Sequence, residues 1–228
     1  MKYFIANWKA NKNLSETRSW VDGFLKNINK NSQIKQKLQN NLIKVIICPS
    51  FPLIYPLKEM LAEQKNIVVG SQDISLVEGG TYTGEVSANN LSSLVEYTII
   101  GHSERKKYLH ETNDVVMKKF AMAKRFGIEP IYCIADSNVP FPHNVNFLCY
   151  EPPAAISKGD GKGNYESVTT ILEIKLKISL PTETKFIYGG SVNEQNAKEY
   201  LQHDEIDGFL IGGASLDAER FNAILSQG

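Results

Sequence analysis

The chain has 228 residues, 42% of them hydrophobic, and its 25 Lys and Arg balance its 25 Asp and Glu. That is room for one large domain or two small ones with an ordinary soluble composition, and net neutrality leaves no electrostatic footprint for nucleic acid or an anionic membrane surface. No apolar run approaches the roughly 20 residues of a membrane helix, and the opening MKYFIANWKANKN lacks the apolar stretch of a signal peptide.

Short, continuous runs of Ile, Val, Phe and Tyr recur along the chain: YFIAN (3–7), KVIIC (44–48), IVVGS (67–71), YTIIG (97–101), PIYCI (130–134), NFLCY (146–150), KFIYG (185–189) and GFLIG (208–212). Continuous rather than alternating patterning marks strands buried on both faces of a parallel sheet. Helical spacing separates most of them. From Ser15, taken as an N-cap, Trp20, Phe24 and Ile28 recur, and from Asn113, Val116, Phe120 and Ala123 do the same up to Gly127. Asn193 is expected to cap a helix through Leu201, and Ser215 one carrying Phe221, Ile224 and Leu225 inward.

Eight strands alternating with helices predict a single-domain α/β fold over residues 1–228, a closed (β/α)8 barrel. An open doubly wound sheet is the alternative, but its glycine fingerprint after the first strand is missing. Between the fifth and sixth strands lies only ADSNVPFPHNVN, with Pro140 and Pro142. A regular helix does not fit there, whereas an extended segment spans the return at about 3.3 Å per residue, so the helical ring is predicted to have a gap. Cys48, Cys133 and Cys149 each sit in an apolar run without CxxC spacing and read as buried structural thiols in a reducing compartment.

In such a barrel functional groups collect at the C-terminal strand ends. Those ends carry Asn7-Trp8-Lys9, Gly101-His102-Ser103-Glu104-Arg105, Glu151, Gly189-Gly190-Ser191 and Gly212-Gly213-Ala214-Ser215. Two Gly-Gly turns, each read as running into a helix start, would make a phosphate cradle of backbone N–H groups. A helix beginning near Ser103 would depress the pKa of His102 and keep its ring neutral. Lys9 and Glu104 could form a mere ion pair, but a lysine facing the cavity at a barrel strand end is read as stabilising developing negative charge. Glu151, the last residue of an apolar run, is the candidate base, with Glu104 its competitor. Base, imidazole, cation and phosphate grip describe proton abstraction beside a carbonyl of a small phosphorylated sugar.

These motifs, with Tyr150-Glu151-Pro152, Tyr188-Gly189-Gly190-Ser191 and Gly80-Thr81-Tyr82-Thr83-Gly84-Glu85, resemble in order the motifs of the triosephosphate isomerase family. The resemblance implies interconversion of dihydroxyacetone phosphate and glyceraldehyde 3-phosphate through an enediolate, in glycolysis and gluconeogenesis, in the cytoplasm, with no metal and no organic cofactor. It implies that Glu151 moves the proton, His102 polarises the carbonyl, Lys9 stabilises the enediolate, Asn7 shapes the oxyanion environment and Glu104 positions Lys9. Ser157, Ser191, Leu210, Gly212 and Gly213 would hold the substrate. Pro152, Pro153, Ile156 and Tyr188 would belong to a lid and its contacts, and Thr83 to a homodimer interface. The pattern departs from the family after the base, where Pro-Val-Trp gives way to Pro152-Pro153-Ala154, and after the fifth strand, where Ile-Gly-Glu gives way to Ile134-Ala135-Asp136. A barrel that binds sugar phosphates without turning them over is the competing reading. An aldolase or epimerase barrel would need a Schiff-base lysine or a metal-ligand set that the later strand ends do not offer.

Overall fold

A computed structural model describes residues 1–153 and 165–228. In chain order the elements are β1 (Lys2–Asn7), α1 (Leu14–Lys30), α2 (Ser32–Gln39), β2 (Ile43–Cys48), α3 (Ile54–Met60), β3 (Ile67–Ser71), α4 (Ala88–Leu91), β4 (Tyr97–Ile100), α5 (Ser103–Leu109) and α6 (Asn113–Arg125). Then follow β5 (Glu129–Ile134), β6 (Phe147–Tyr150), α7 (Val168–Ile178), β7 (Lys185–Tyr188), α8 (Ala197–Leu201), β8 (Gly208–Ile211) and α9 (Ala218–Leu225). All eight predicted strands form, and they pair in parallel in sequence order. β8 returns to β1 through Tyr3↔Gly208 to Ala6↔Ile211, closing the barrel.

Alternation along each strand divides the core in two. Ile5, Ile46, Ile99, Ile131, Cys149 and Ile187 pack together inside the barrel. Phe4, Ala6, Val45, Ile47, Leu148 and Phe186 belong to the larger cluster formed with the helices. The same period decides what reaches the mouth: Asn7 follows Ile5 inward, and Glu151 follows Phe147 and Cys149 inward, while Tyr150 between them faces the helical layer. The three cysteines are buried and unbridged, as their apolar settings predicted.

Three caps differ from the sequence reading. Asn13, not Ser15, caps α1: its side chain accepts the Glu16 N–H, and Glu16 returns the bond to the Asn13 N–H. Asp217, not Ser215, caps α9 by accepting from Glu219 and Arg220. Ser215 lies instead in a 3-10 turn, Gly213–Leu216, and its hydroxyl donates to the Gly212 carbonyl. The helix expected from Asn193 begins at Ala197, because the Asn193 side chain takes the Gln195 and Asn196 N–H groups in a turn of its own.

The gap predicted between the fifth and sixth strands is present: no helix joins β5 to β6. Val139 and Phe141 pack on the core in its place, and the Tyr132 hydroxyl donates to the Pro140 carbonyl at 3.0 Å. A buried, four-membered ionic cluster fastens the start of the β3–α4 connection to α5 and α6. Lys119 Nζ lies 2.7 Å from both carboxylate oxygens of Asp73 and 2.6 Å from Glu111, and Arg105 reaches Asp73 at 2.8 Å and Glu111 at 3.3 Å.

Candidate active site

Asn7, Lys9, His102, Glu151, Gly189, Gly190, Leu210 and Gly212 line one cavity at the C-terminal mouth of the barrel. Its free volume is about 20 Å3, whereas a cavity of about 580 Å3 lies elsewhere, beneath the β3–α4 connection. The mouth is small because its own side chains fill it. Glu151 Oε1 sits 3.0 Å from His102 Nε2, and Glu151 Oε2 accepts the Ser103 N–H at 3.0 Å. Gly189 is needed beside this carboxylate, since a Cβ there would come within 2.8 Å of both Glu151 Cγ and Cys149 Sγ.

Lys9 has a left-handed backbone, φ 53°, uncommon for a side-chain-bearing residue and of the kind found where surrounding structure imposes it. Three contacts impose it here. Asn7 Oδ1 accepts the Lys9 N–H at 3.1 Å, Gln72 donates to the Lys9 carbonyl at 2.8 Å, and Lys9 Nζ lies 2.6 Å from Glu104 Oε1. Gln72 also donates to the Cys48 carbonyl, so it ties the ends of β1 and β2 together. The sequence reading omitted Gln72, although its place directly after β3 is the same strand-end signal that found Lys9.

His102 is the cap of α5. Its Nδ1 accepts the Glu104 N–H at 3.2 Å, so in the neutral ring that nitrogen carries no proton and the ring donates through Nε2. The expected depression of its pKa is overturned in this arrangement. Burial does lower it, but the Glu151 carboxylate outweighs burial and the net shift is upward from 6.5. For Glu151, burial raises the pKa, and His102, the Ser103 N–H and the Cys133 thiol together outweigh that, leaving it below 4.5. The pair therefore favours an ionised Glu151.

A pH dependence of stability follows. The raised His102 contributes stability that is complete below 6.5 and is lost as pH rises through its folded pKa. The depressed Glu151 contributes stability that is complete above 4.5 and is lost as pH falls through its own. The stability difference between the native chain and Glu151→Gln is thus expected to peak between these limits in thermal unfolding at graded pH. A difference independent of pH would reject the pairing.

The structure brings Asn7, Lys9, His102, Glu104 and Glu151 together. Ser191 is buried just beyond β7, its carbonyl accepting from Asn196, and Gly213 opens the 3-10 turn after β8. The two Gly-Gly turns are not equivalent: only the second runs directly into a helical turn, since residues 191–196 separate Gly190 from α8. Gly212 presents open backbone to Lys9, whose Cε would lie 3.4 Å from a Cβ placed there. Tyr188 is buried and accepts the Glu166 N–H at 3.2 Å. Pro152 is buried and Pro153 exposed, while Ser157 and Ile156 lie outside the described residues. Thr83 is exposed in the β3–α4 connection. Among the described residues no three His, Cys, Asp or Glu side chains gather to hold a metal, and no helix is long and apolar enough to cross a membrane.

A family model described as triosephosphate isomerase matches residues 2–140 and 141–228. The chain is 34% identical over 250 residues to the triosephosphate isomerase of Alkaliphilus oremlandii, covering 96% of each chain. It is 36% identical to that of Dehalococcoides mccartyi, with 97% of this chain and 94% of the relative covered. It is 32% identical to that of Aquifex aeolicus, with 98% of both covered. The crystal structure of triosephosphate isomerase from Bartonella henselae shares the fold with a TM-score of 0.81 at 24% identity, over 99% of this chain and 98% of that one.

Proposed function

Because the chain belongs to the triosephosphate isomerase family, we propose that it interconverts dihydroxyacetone phosphate and glyceraldehyde 3-phosphate, the reaction of glycolysis and gluconeogenesis. The observation that carries this reading is the convergence of Lys9, His102 and Glu151 on one cavity at the barrel mouth.

The resting geometry says what substrate must do first. His102 Nε2 is occupied by Glu151 Oε1 at 3.0 Å, so a substrate oxygen reaches that N–H only as the Glu151 side chain leaves His102. That movement removes the largest cause holding the His102 pKa up and leaves only the weaker pull of the Glu104 carboxylate. Burial and the Glu104 N–H on Nδ1 remain, and both favour the neutral ring, whose Nε2–H is then free to donate to the substrate oxygen. Glu151, desolvated and ionised, takes the proton from one carbon and returns it to the next. Lys9, held by Glu104, lies on the side where negative charge develops on the enediolate oxygen, and Asn7 keeps the Lys9 backbone in its left-handed turn. Gly212, Gly213 and Ser191, with Ser157, receive the phosphate, and Leu210 forms the floor beneath them. Pro152, Pro153 and Ile156, with Tyr188 as a contact, belong to the segment that covers the bound substrate.

A coupled assay in both directions, with and without phosphoglycolate, tests the assignment. Saturable interconversion blocked by phosphoglycolate is the expected result. Phosphoglycolate binding without interconversion would replace the enzyme with a sugar-phosphate-binding barrel.

The working assembly in this reading is a cytoplasmic homodimer in which the connection around Thr83 packs beside the partner's site. Supporting it, Tyr82, Tyr108 and Leu109 are each more than half exposed on this side of the barrel. Thr83→Arg is expected to shift sedimentation from dimer to monomer at micromolar concentration. An intact dimer would exclude Thr83 from the interface.

A further inference from the structure

All three polar groups of Glu166, just ahead of α7, are taken by tyrosine hydroxyls. Its N–H donates to Tyr188 at 3.2 Å, its carbonyl accepts from Tyr200 at 2.9 Å, and its Oε2 accepts from Tyr150 at 3.1 Å. The three tyrosines are buried and come from β6, β7 and α8, with the Tyr188 and Tyr200 rings 5.0 Å apart. Two of these bonds use the backbone, which any residue supplies. The third uses the carboxylate, and its partner stands one residue before Glu151.

We propose that Glu166 is a positioning residue for the isomerisation: through the Tyr150 hydroxyl its carboxylate fixes the end of β6 from the helical side and so sets the position of Glu151 on the other face. This rests on the assignment of Glu151 as the base. The main chain at this point is already held on both edges, Glu151 N–H to the Ile134 carbonyl and Gly189 N–H to the Tyr150 carbonyl, each at 2.8 Å. Those bonds fix translation within the sheet. They leave rotation of the strand end about its own axis, and Tyr150, pointing away from Glu151, is the lever on that rotation. Burial and then the Glu166 carboxylate raise the Tyr150 pKa, so its hydroxyl stays protonated and remains the donor.

Glu166→Ala, Glu166→Gln and Tyr150→Phe test this in the full chain, well below the unfolding temperature. Glu166→Ala is expected to lower kcat on the order of 10-fold, with KM and phosphoglycolate affinity within about 2-fold of native. Glu166→Gln, which keeps an oxygen acceptor, restores kcat. Tyr150→Phe reproduces the loss, and combining it with Glu166→Ala adds nothing further. A kcat for Glu166→Ala within about 2-fold of native, an equal loss in Glu166→Gln, or additive losses in the double variant would overturn the proposal. The His102 ring 15N signals of the substrate-free protein give a readout independent of turnover. They shift in Glu166→Ala as the Glu151 contact loosens, and they return in Glu166→Gln. Unaltered signals overturn the positioning role even in an active enzyme, whereas a native chain without turnover overturns the isomerase reading instead.

Discussion

Glu151→Asp is expected to lower kcat by about 100-fold while leaving phosphoglycolate affinity nearly unchanged, because the carboxylate retreats by about one methylene and displacements near 1 Å cost that much. The resting geometry explains why no compensating shift is available. Glu151 is held at two points, His102 Nε2 and the Ser103 N–H, each at 3.0 Å, with Gly189 backing its Cγ. The backbone carrying it is bonded to β5 through the Ile134 carbonyl. A shorter side chain on a fixed strand end cannot reach both partners, and it cannot reach a substrate carbon placed for the longer one. In the proposed reading a phosphate analogue is held by groups at β7, β8 and Lys9, which the substitution does not touch. Steady-state kinetics in both directions with inhibitor titration checks this, and an unchanged kcat rejects Glu151 as the base.

Lys119→Met is the second large effect, and it falls on stability. The side chain of Lys119 is 5% exposed, and it neutralises Asp73 and Glu111, which are 10% and 4% exposed. Removing one partner of a buried ionic group leaves uncompensated charge in a poorly solvated place, typically costing about 3–5 kcal/mol. Methionine keeps most of the packing, so the loss reports charge rather than a cavity. Burial already raises the Asp73 pKa against the pull of Lys119 and Arg105, and without Lys119 it rises further. An acid with a raised folded pKa weighs against the fold most where it is ionised, so the deficit is largest at neutral pH and narrows as pH falls. Denaturant unfolding at two pH values checks both size and sign. A loss below about 1 kcal/mol would mean that Arg105 alone satisfies the two carboxylates.

The barrel was legible because a parallel strand buried on both faces has to be apolar throughout, and eight such runs are hard to produce otherwise. The gap after β5 was legible for the complementary reason that Pro140 and Pro142 forbid the helix. Caps were less legible because several residues compete for them. Asn13 and Ser15 are both good caps, and the choice was written three residues further on: Glu16 can return a bond to Asn13, whereas Arg18 cannot do so for Ser15. The strand ends revealed Lys9, His102 and Glu151, since position on the fold and residue type suffice for that. They did not reveal the charge state of His102, which depends on a carboxylate nearly fifty residues away, at 3.0 Å only after folding. Glu166 was invisible for the same reason, because its three partners are scattered from 150 to 200.

The missing helix also changes the order of costs in assembling the barrel. Bringing two strands together requires closing the chain between them, and that entropy grows with the logarithm of its length, about 0.6 kcal/mol per doubling. Residues 135–146 are the shortest connection between consecutive strands, and the next shortest, 49–66, is half as long again. The four rungs from Ile131↔Phe147 to Ile134↔Tyr150 are therefore the parallel contacts that cost least to make from an open chain. The strand that delivers Glu151 belongs to the most local pair of an otherwise long-range topology, so the platform for the proposed base has the lowest entropic threshold to form.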